Sequence, residues 1–173
     1  VPLHTTENYN GQMSNQKGIH GFWESRIPEL SAENYDYLVG RAAYISDPLE
    51  KAWSIVKHSH YALDSVFSIE KELTELFDDD KKYSFEHRGR VVMKVYSEDF
   101  SMEYQRRLNG MQERRMRESI LTAGSFWYTA WVNAGQPNLS DLREDLSEEM
   151  KEEMKKNDEY FNKGKINGRN HGN

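Results

Sequence analysis

Ser46-Asp47-Pro48 followed by residues 49–77, LEKAWSIVKHSHYALDSVFSIEKELTELF, decides the fold class of this chain. Leu49, Trp53, Val56, His60, Leu63, Phe67, Leu73 and Phe77 recur mostly three and four residues apart, the spacing that lines up side chains on one face of an α-helix. The opening Ser-Asp-Pro marks a helix start. An Asp side chain can accept from a free backbone N–H of the first turn, and Pro is favoured at the first helical position, where its missing N–H is not needed. The pattern stops at Asp78-Asp79-Asp80.

Working outward, the same periodicity dominates. Towards the N-terminus, Ile19, Phe22, Trp23 and Ile27 predict a short helix ending at Pro28, and a second helix is expected from near Ser31 to near Gly40. Residues 1–17 are polar and loop-like. Towards the C-terminus, Lys81 to Lys94 reads as a basic connector. Val91-Val92-Met93 has strand character, but one strand makes no sheet. From about Ser97 a long helix runs towards Gly135, with Tyr104, Leu108, Met111, Ile120, Trp127 and Trp131 on its buried side. Gly110 and Gly124 weaken it, permitting a kink or close helix packing. Leu142, Leu146, Met150 and Met154 then repeat every four residues and predict a last amphipathic helix before a polar tail, Lys163 to Asn173. The class is all-α, with a body over 1–137 and a helix plus tail over 138–173. The Lys81–Lys94 connector and the last ten residues are expected to be mobile.

At 173 residues the chain has the length of about one domain. Its 12% aromatic content argues for a packed core despite 30% charged residues. The net charge of −6 disfavours wholesale coating of nucleic acid. Charge is uneven, with net −8 over residues 1–80, +5 over 81–117 and −3 over 118–173. A basic stretch between acidic ones reads first as a solvated face pairing with its neighbours, and second as a phosphate-facing surface. There is no cysteine, so disulfides, thiol nucleophiles and Cys-ligated zinc are excluded. No apolar run reaches the 18 residues that a membrane-spanning helix needs. The start, Val-Pro-Leu-His, carries neither an initiator Met nor a signal peptide and reads as a processed chain or a fragment.

One constellation carries chemistry. His20 and Glu24 stand four apart on a predicted helix, so imidazole and carboxylate share a face. His4 lies sixteen residues upstream across a polar loop that can fold back. Two histidines and a carboxylate form a three-ligand set for zinc that leaves a position open for water or substrate. On spacing alone, a surface ion pair or a satisfied histidine is the commoner arrangement. His58, and His60 with Asp64 four residues on, are further candidates. His60 sits in the apolar stripe and is expected to be a buried, hydrogen-bonded histidine. Asn8, Tyr9 and Trp23 flank the ligands; Asn8 and Trp23 are candidate substrate contacts.

Pro2-Leu3-His4, a polar loop, and then Gly18-Ile19-His20-Gly21-Phe22-Trp23-Glu24 resemble the second half of the zinc signature of the zinc-dependent phospholipase C family, which also holds single-strand-specific nucleases. Gly124-Ser125-Phe126-Trp127-Tyr128-Thr129-Ala130-Trp131 with Asn133-Ala134-Gly135-Gln136-Pro137 is similar to bacterial members, so the resemblance spans roughly residues 1–137. It implies an all-α phospholipase C/nuclease-type fold without its N-terminal part, and secretion or a periplasmic home. It also implies zinc-dependent phosphodiester hydrolysis, in which a metal-activated hydroxide attacks phosphorus. His4, His20 and Glu24 then ligate one zinc of a three-zinc cluster. The family's remaining ligands precede the Pro-x-His and have no counterpart here, which implies an inactive or weak enzyme from this chain alone. Nucleic acid and phospholipid both remain open as substrates. A helical binding domain without catalysis is the alternative reading.

Overall fold

The computed structural model describes residues 1–142 and 147–163. The chain divides into two compact units, Val1–Asn133 and Ala134–Asn173.

The first unit is mainly helical, as the periodicity predicts. A 3-10 turn, Pro2–Thr5, precedes the polar loop. The next helical path comprises α1 (Ile19–Gly21), a π turn (Phe22–Arg26) and α2 (Ile27–Ser31). It does not stop at Pro28. The Ile27 N–H reaches back five residues to the Phe22 carbonyl, and Pro28 then occupies the first turn of α2, where a missing N–H is tolerated. The helix expected over 31–40 is reduced to one 3-10 turn, Ala32–Asn34. Beyond it the chain runs without helix up to Asp47, which caps α3 (Pro48–Tyr61) by accepting from the Glu50 N–H at 2.8 Å. The stripe over 49–77 belongs to two helices, because the path breaks at Ala62 before α4 (Leu63–Leu76). Leu63, Val66 and Leu73 of α4 are buried, whereas Leu49, Trp53 and Val56 of α3 are exposed.

The connector contains the largest departure from the sequence reading. After α5 (Asp79–Lys82), β1 (Tyr83–Arg88) and β2 (Val91–Tyr96) pair as an antiparallel hairpin, with Phe85 opposite Lys94 and Tyr83 opposite Tyr96. Gly89, at φ 64°, takes the first place of the two-residue turn, a conformation that L side chains avoid. Among the described residues this is a two-stranded sheet, so the architecture is mainly α rather than all-α. The long helix expected from Ser97 is also two, α6 (Glu98–Arg107) and α7 (Met111–Asn133), separated at Asn109 and Gly110, both in the left-handed region.

The core joins the π turn, α4, β2 and α6. Phe22 stacks on Tyr96 at 3.9 Å between ring centroids, and Leu3, Ile19, Val66, Leu73, Phe100 and Tyr104 are fully buried around them. The side of α7 that is buried is polar. Thr122, Ser125 and Thr129 face inward, while Ile120 and Trp127 are exposed. The reason is the irregular segment before α3. Its Ala43 and Ile45 N–H groups donate to Ser125 Oγ at 3.1 Å and Thr129 Oγ1 at 2.8 Å, and Gly124 lies against Ala42. Hydroxyls are needed here to satisfy backbone that has no sheet partner.

In the second unit, a 3-10 turn (Leu139–Leu142) precedes α8 (Glu148–Asn162), on which Met150 and Met154 are exposed. Leu142 therefore does not share that helix, and Leu146 and residues 164–173 lie outside the described residues. Among the described residues no helix is long and apolar enough to cross a membrane.

Candidate metal centre

Pro2 and Leu3, both buried, fix the first turn in the core and leave His4 at the surface. Thr5 holds that turn by donating its hydroxyl to the Pro2 carbonyl at 2.7 Å. The Thr5 carbonyl lies 3.2 Å from His60 Nδ1, which ties the turn to α3. His60 itself is exposed, contrary to expectation, because α3 turns Ser59 rather than His60 to the interior. Its hydrogen bonding to Thr5 is present.

The loop from residue 6 to 18 is built to close. The Gly11 and Gln16 backbones bond at 2.9 Å with Gly11 at φ 72°, and a Cβ there would fall 2.2 Å from the Gln16 carbonyl oxygen. Asn8 accepts from the Met13 N–H at 2.7 Å and donates to Ser14 Oγ at 2.9 Å, so its side chain serves the loop. Gln16 is buried and donates to the Phe67 carbonyl at 2.8 Å and to Glu70 Oε2 at 2.5 Å. Its carbonyl accepts from the Ile19 N–H, which starts the helical path bearing His20 and Glu24.

Glu70, 1% exposed, also accepts from Lys82 Nζ at 2.9 Å and Thr74 Oγ1 at 3.0 Å. The Lys82 ammonium faces the rings of Tyr83, Tyr96 and Phe100 at 5.3–5.4 Å. Burial, reinforced by the Glu70 charge, pushes the Tyr96 phenol far above its ordinary range. A buried carboxylate persists when it is paired and fully hydrogen-bonded, and this one is. The sequence reading missed this network. Its members are up to 80 positions apart, and no local pattern joins them.

The result is convergence. His4 Nε2 and His20 Nε2 are 3.0 Å apart, and they lie 2.9 and 3.1 Å from Glu24 Oε1. The side chains of His4, His20 and Glu24 are 57, 14 and 27% exposed, so the group opens on the His4 side. Tyr9 packs edge-on against the His20 ring at 5.5 Å. Glu24 Oε1 is shielded from solvent and lacks a well-directed hydrogen-bond donor. Contacts this short are held either by protons on the imidazole nitrogens or by a cation that accepts an electron pair from each of the three atoms. Tetrahedral zinc, with bonds of about 2.0–2.2 Å, spaces its ligand atoms by about 3.3–3.6 Å, so this set fits the ion after a shift of a few tenths of an ångström. Among the described residues no second group of three or more such side chains converges in this way, and His58 and the His60–Asp64 pair join none.

Trp23 is buried in the core and lines a cavity beside Glu24, so direct contact with a ligand is confined to that wall. Its carbonyl accepts from the buried Gln112 side chain, which links the π turn to α7. Compared with protein-family models, curated proteins and solved structures, the chain finds no significant match.

Proposed function

We propose that this chain carries one zinc site of a zinc-dependent phosphodiester hydrolase of the nuclease or phospholipase C type. The observation that supports this reading is the approach of His4 Nε2, His20 Nε2 and Glu24 Oε1 to within 3.1 Å of one another. A zinc ion in such a site polarises a phosphoryl oxygen and activates water. The chain's residues hold and orient. His4 rides on a turn nailed down by Leu3 and Thr5. His20 is enclosed by its own helix and by Tyr9. Glu24 brings the negative charge that a dication needs. With one such cluster among the described residues, hydrolysis by this chain alone is expected to be weak, and full activity would require further metal ligands. The resemblance supports secretion or a periplasmic home.

A non-catalytic helical binding domain is the competing reading, favoured by the exposure of Trp53, Trp127 and Leu38. Elemental analysis of the purified protein separates the two. About one zinc per chain, lost in His20→Ala, is expected for the hydrolase reading. Absence of zinc together with no cleavage of single-stranded DNA or phosphatidylcholine would leave the binding domain.

A further inference from the structure

We propose that the outer edge of β2 is a docking site for an extended acidic peptide, which adds a third strand to the β1–β2 hairpin in the groove between β2 and the helical path that starts at Ile19.

The ladder fixes which backbone groups are open. In an antiparallel pair, opposed residues alternate between those that bond each other and those whose N–H and C=O groups point outward. Just beyond the strand ends, the Ser97 N–H donates to the Lys82 carbonyl at 2.9 Å. With Tyr83 opposite Tyr96, this phase makes Ser84 with Val95 and Glu86 with Met93 the bonded pairs, and turns the backbone of Val92, Lys94 and Tyr96 outward. The Tyr96 carbonyl shows the direction, since it accepts from Arg26 Nε at 3.0 Å. Arg26 thereby closes the inner end of the edge. At Val92 and Lys94 the outward groups have no partner among the described residues, and both residues are exposed. Neither a Pro nor a bulge interrupts β2, so its edge is a template for strand addition.

The edge looks onto a groove of about 550 Å³ whose opposite wall includes Gly18, Gly21 and Ser25. A Cβ on either glycine would meet nothing within 4 Å, which leaves room for a further backbone. Charge selects the occupant. Lys17, Arg26 and Lys94 line the groove against one carboxylate, Glu29. Glu29 and Glu86 engage Arg26, so exposed Lys17 and Lys94 are the cations left for a ligand. Lys94 Nζ rests over the Tyr83 ring at 3.8 Å, which holds the ammonium at the rim. In a chain of net charge −6 this is a local cationic spot, and Met93 and Val95 add apolar surface beside it. A strand presents alternate side chains to opposite faces, so alternating acidic and apolar residues suit both features. A second copy suits them poorly. It brings the same cations, and its own helical path stands in front of its β2.

The test is fluorescence anisotropy of a labelled peptide of alternating Glu and Val, about six residues long to match β2. The full chain should bind it at least about tenfold more tightly than the same peptide with Lys in place of Glu. A strand on an edge donates with every second N–H, so N-methylating one alternate set of residues should abolish binding and methylating the other should leave it within about threefold. Gly21 is helical, at φ −63°, and tolerates a side chain; Gly21→Leu should fill the groove and weaken the peptide by about tenfold or more with an unchanged far-UV circular dichroism spectrum. Lys94→Glu should weaken the Glu peptide and tighten the Lys peptide. Val92→Pro removes an outward N–H and no bond to β1, and should also lose binding. If that variant does not fold, Gly21→Leu reads the same edge. Loss with both methylated sets or with neither, or unchanged affinity in Gly21→Leu, overturns the proposal. Equally tight binding of a thymidine oligonucleotide would mean that charge alone is read, and overturns it too. A dimer in sedimentation that dissociates in Gly21→Leu would assign the groove to a second copy and overturn the peptide.

Discussion

Glu70 and Lys82 stabilise the loop that carries the candidate ligands, because Gln16 bonds to the same buried carboxylate as the ammonium. Removing one partner leaves an uncompensated charge in the core. Glu70→Gln or Lys82→Met alone should cost about 3–5 kcal/mol in urea unfolding, whereas Glu70→Leu with Lys82→Met should recover much of the loss. Loss in the double variant equal to the sum of the singles would count against this. Glu103 behaves differently. Arg106 and Arg107 hold its carboxyl down to about 2 from an ordinary 4.5. A depressed folded-state value means that the contribution is present above the unfolded value and disappears as pH falls from 4.5 towards 2. Glu103 lies at the surface, so the effect should be small and weakened by salt. Glu103→Gln should flatten that part of the acid-unfolding curve, and an unchanged curve would remove the role. The ligand trio was legible because two of its members lie four apart on a helix and the third follows a buried anchor, Leu3. Gln16, Glu70 and Lys82 were not legible, since the contacts that join them are fixed by tertiary packing.

Among secondary-structure elements, the helix periodicity predicted a mainly helical chain, but it missed the β1–β2 hairpin and misplaced the helix boundaries. Apolar spacing of three and four runs on through Ala62 and Gly110, where the chain breaks, because spacing registers a face and not a change of axis. The polar inner side of α7 was hidden for a related reason. Ser125 and Thr129 are buried to satisfy Ala43 and Ile45, whose position depends on the whole fold. The hairpin had a signal in Arg88-Gly89-Arg90 between two segments with β-branched or aromatic residues, but only Val91-Val92-Met93 was read as a strand, and one strand makes no sheet. Gly89 now provides its test. Gly89→Ala places a Cβ in the left-handed region and should cost about 1–2 kcal/mol locally, seen as faster amide exchange in Val91–Tyr96 with little change in α4. Equal exchange in wild type and variant would show that the turn is not strained by a side chain.

On the scale of the whole molecule, the three candidate ligands, and the groups described here as supporting them, lie within Val1–Asn133. A chain ending at Pro137 should therefore fold and bind zinc as the full chain does; a clear loss of affinity would assign the second unit a part in the site. The claim on which the functional reading depends is that His4, His20 and Glu24 hold a metal ion together. Calorimetric zinc titration of wild type, His20→Ala and His58→Ala tests it most directly. One zinc per chain is expected in wild type and in His58→Ala, with affinity reduced by about 100-fold or more in His20→Ala, where one of three protein ligands is gone. Equal zinc affinity in wild type and His20→Ala would contradict it.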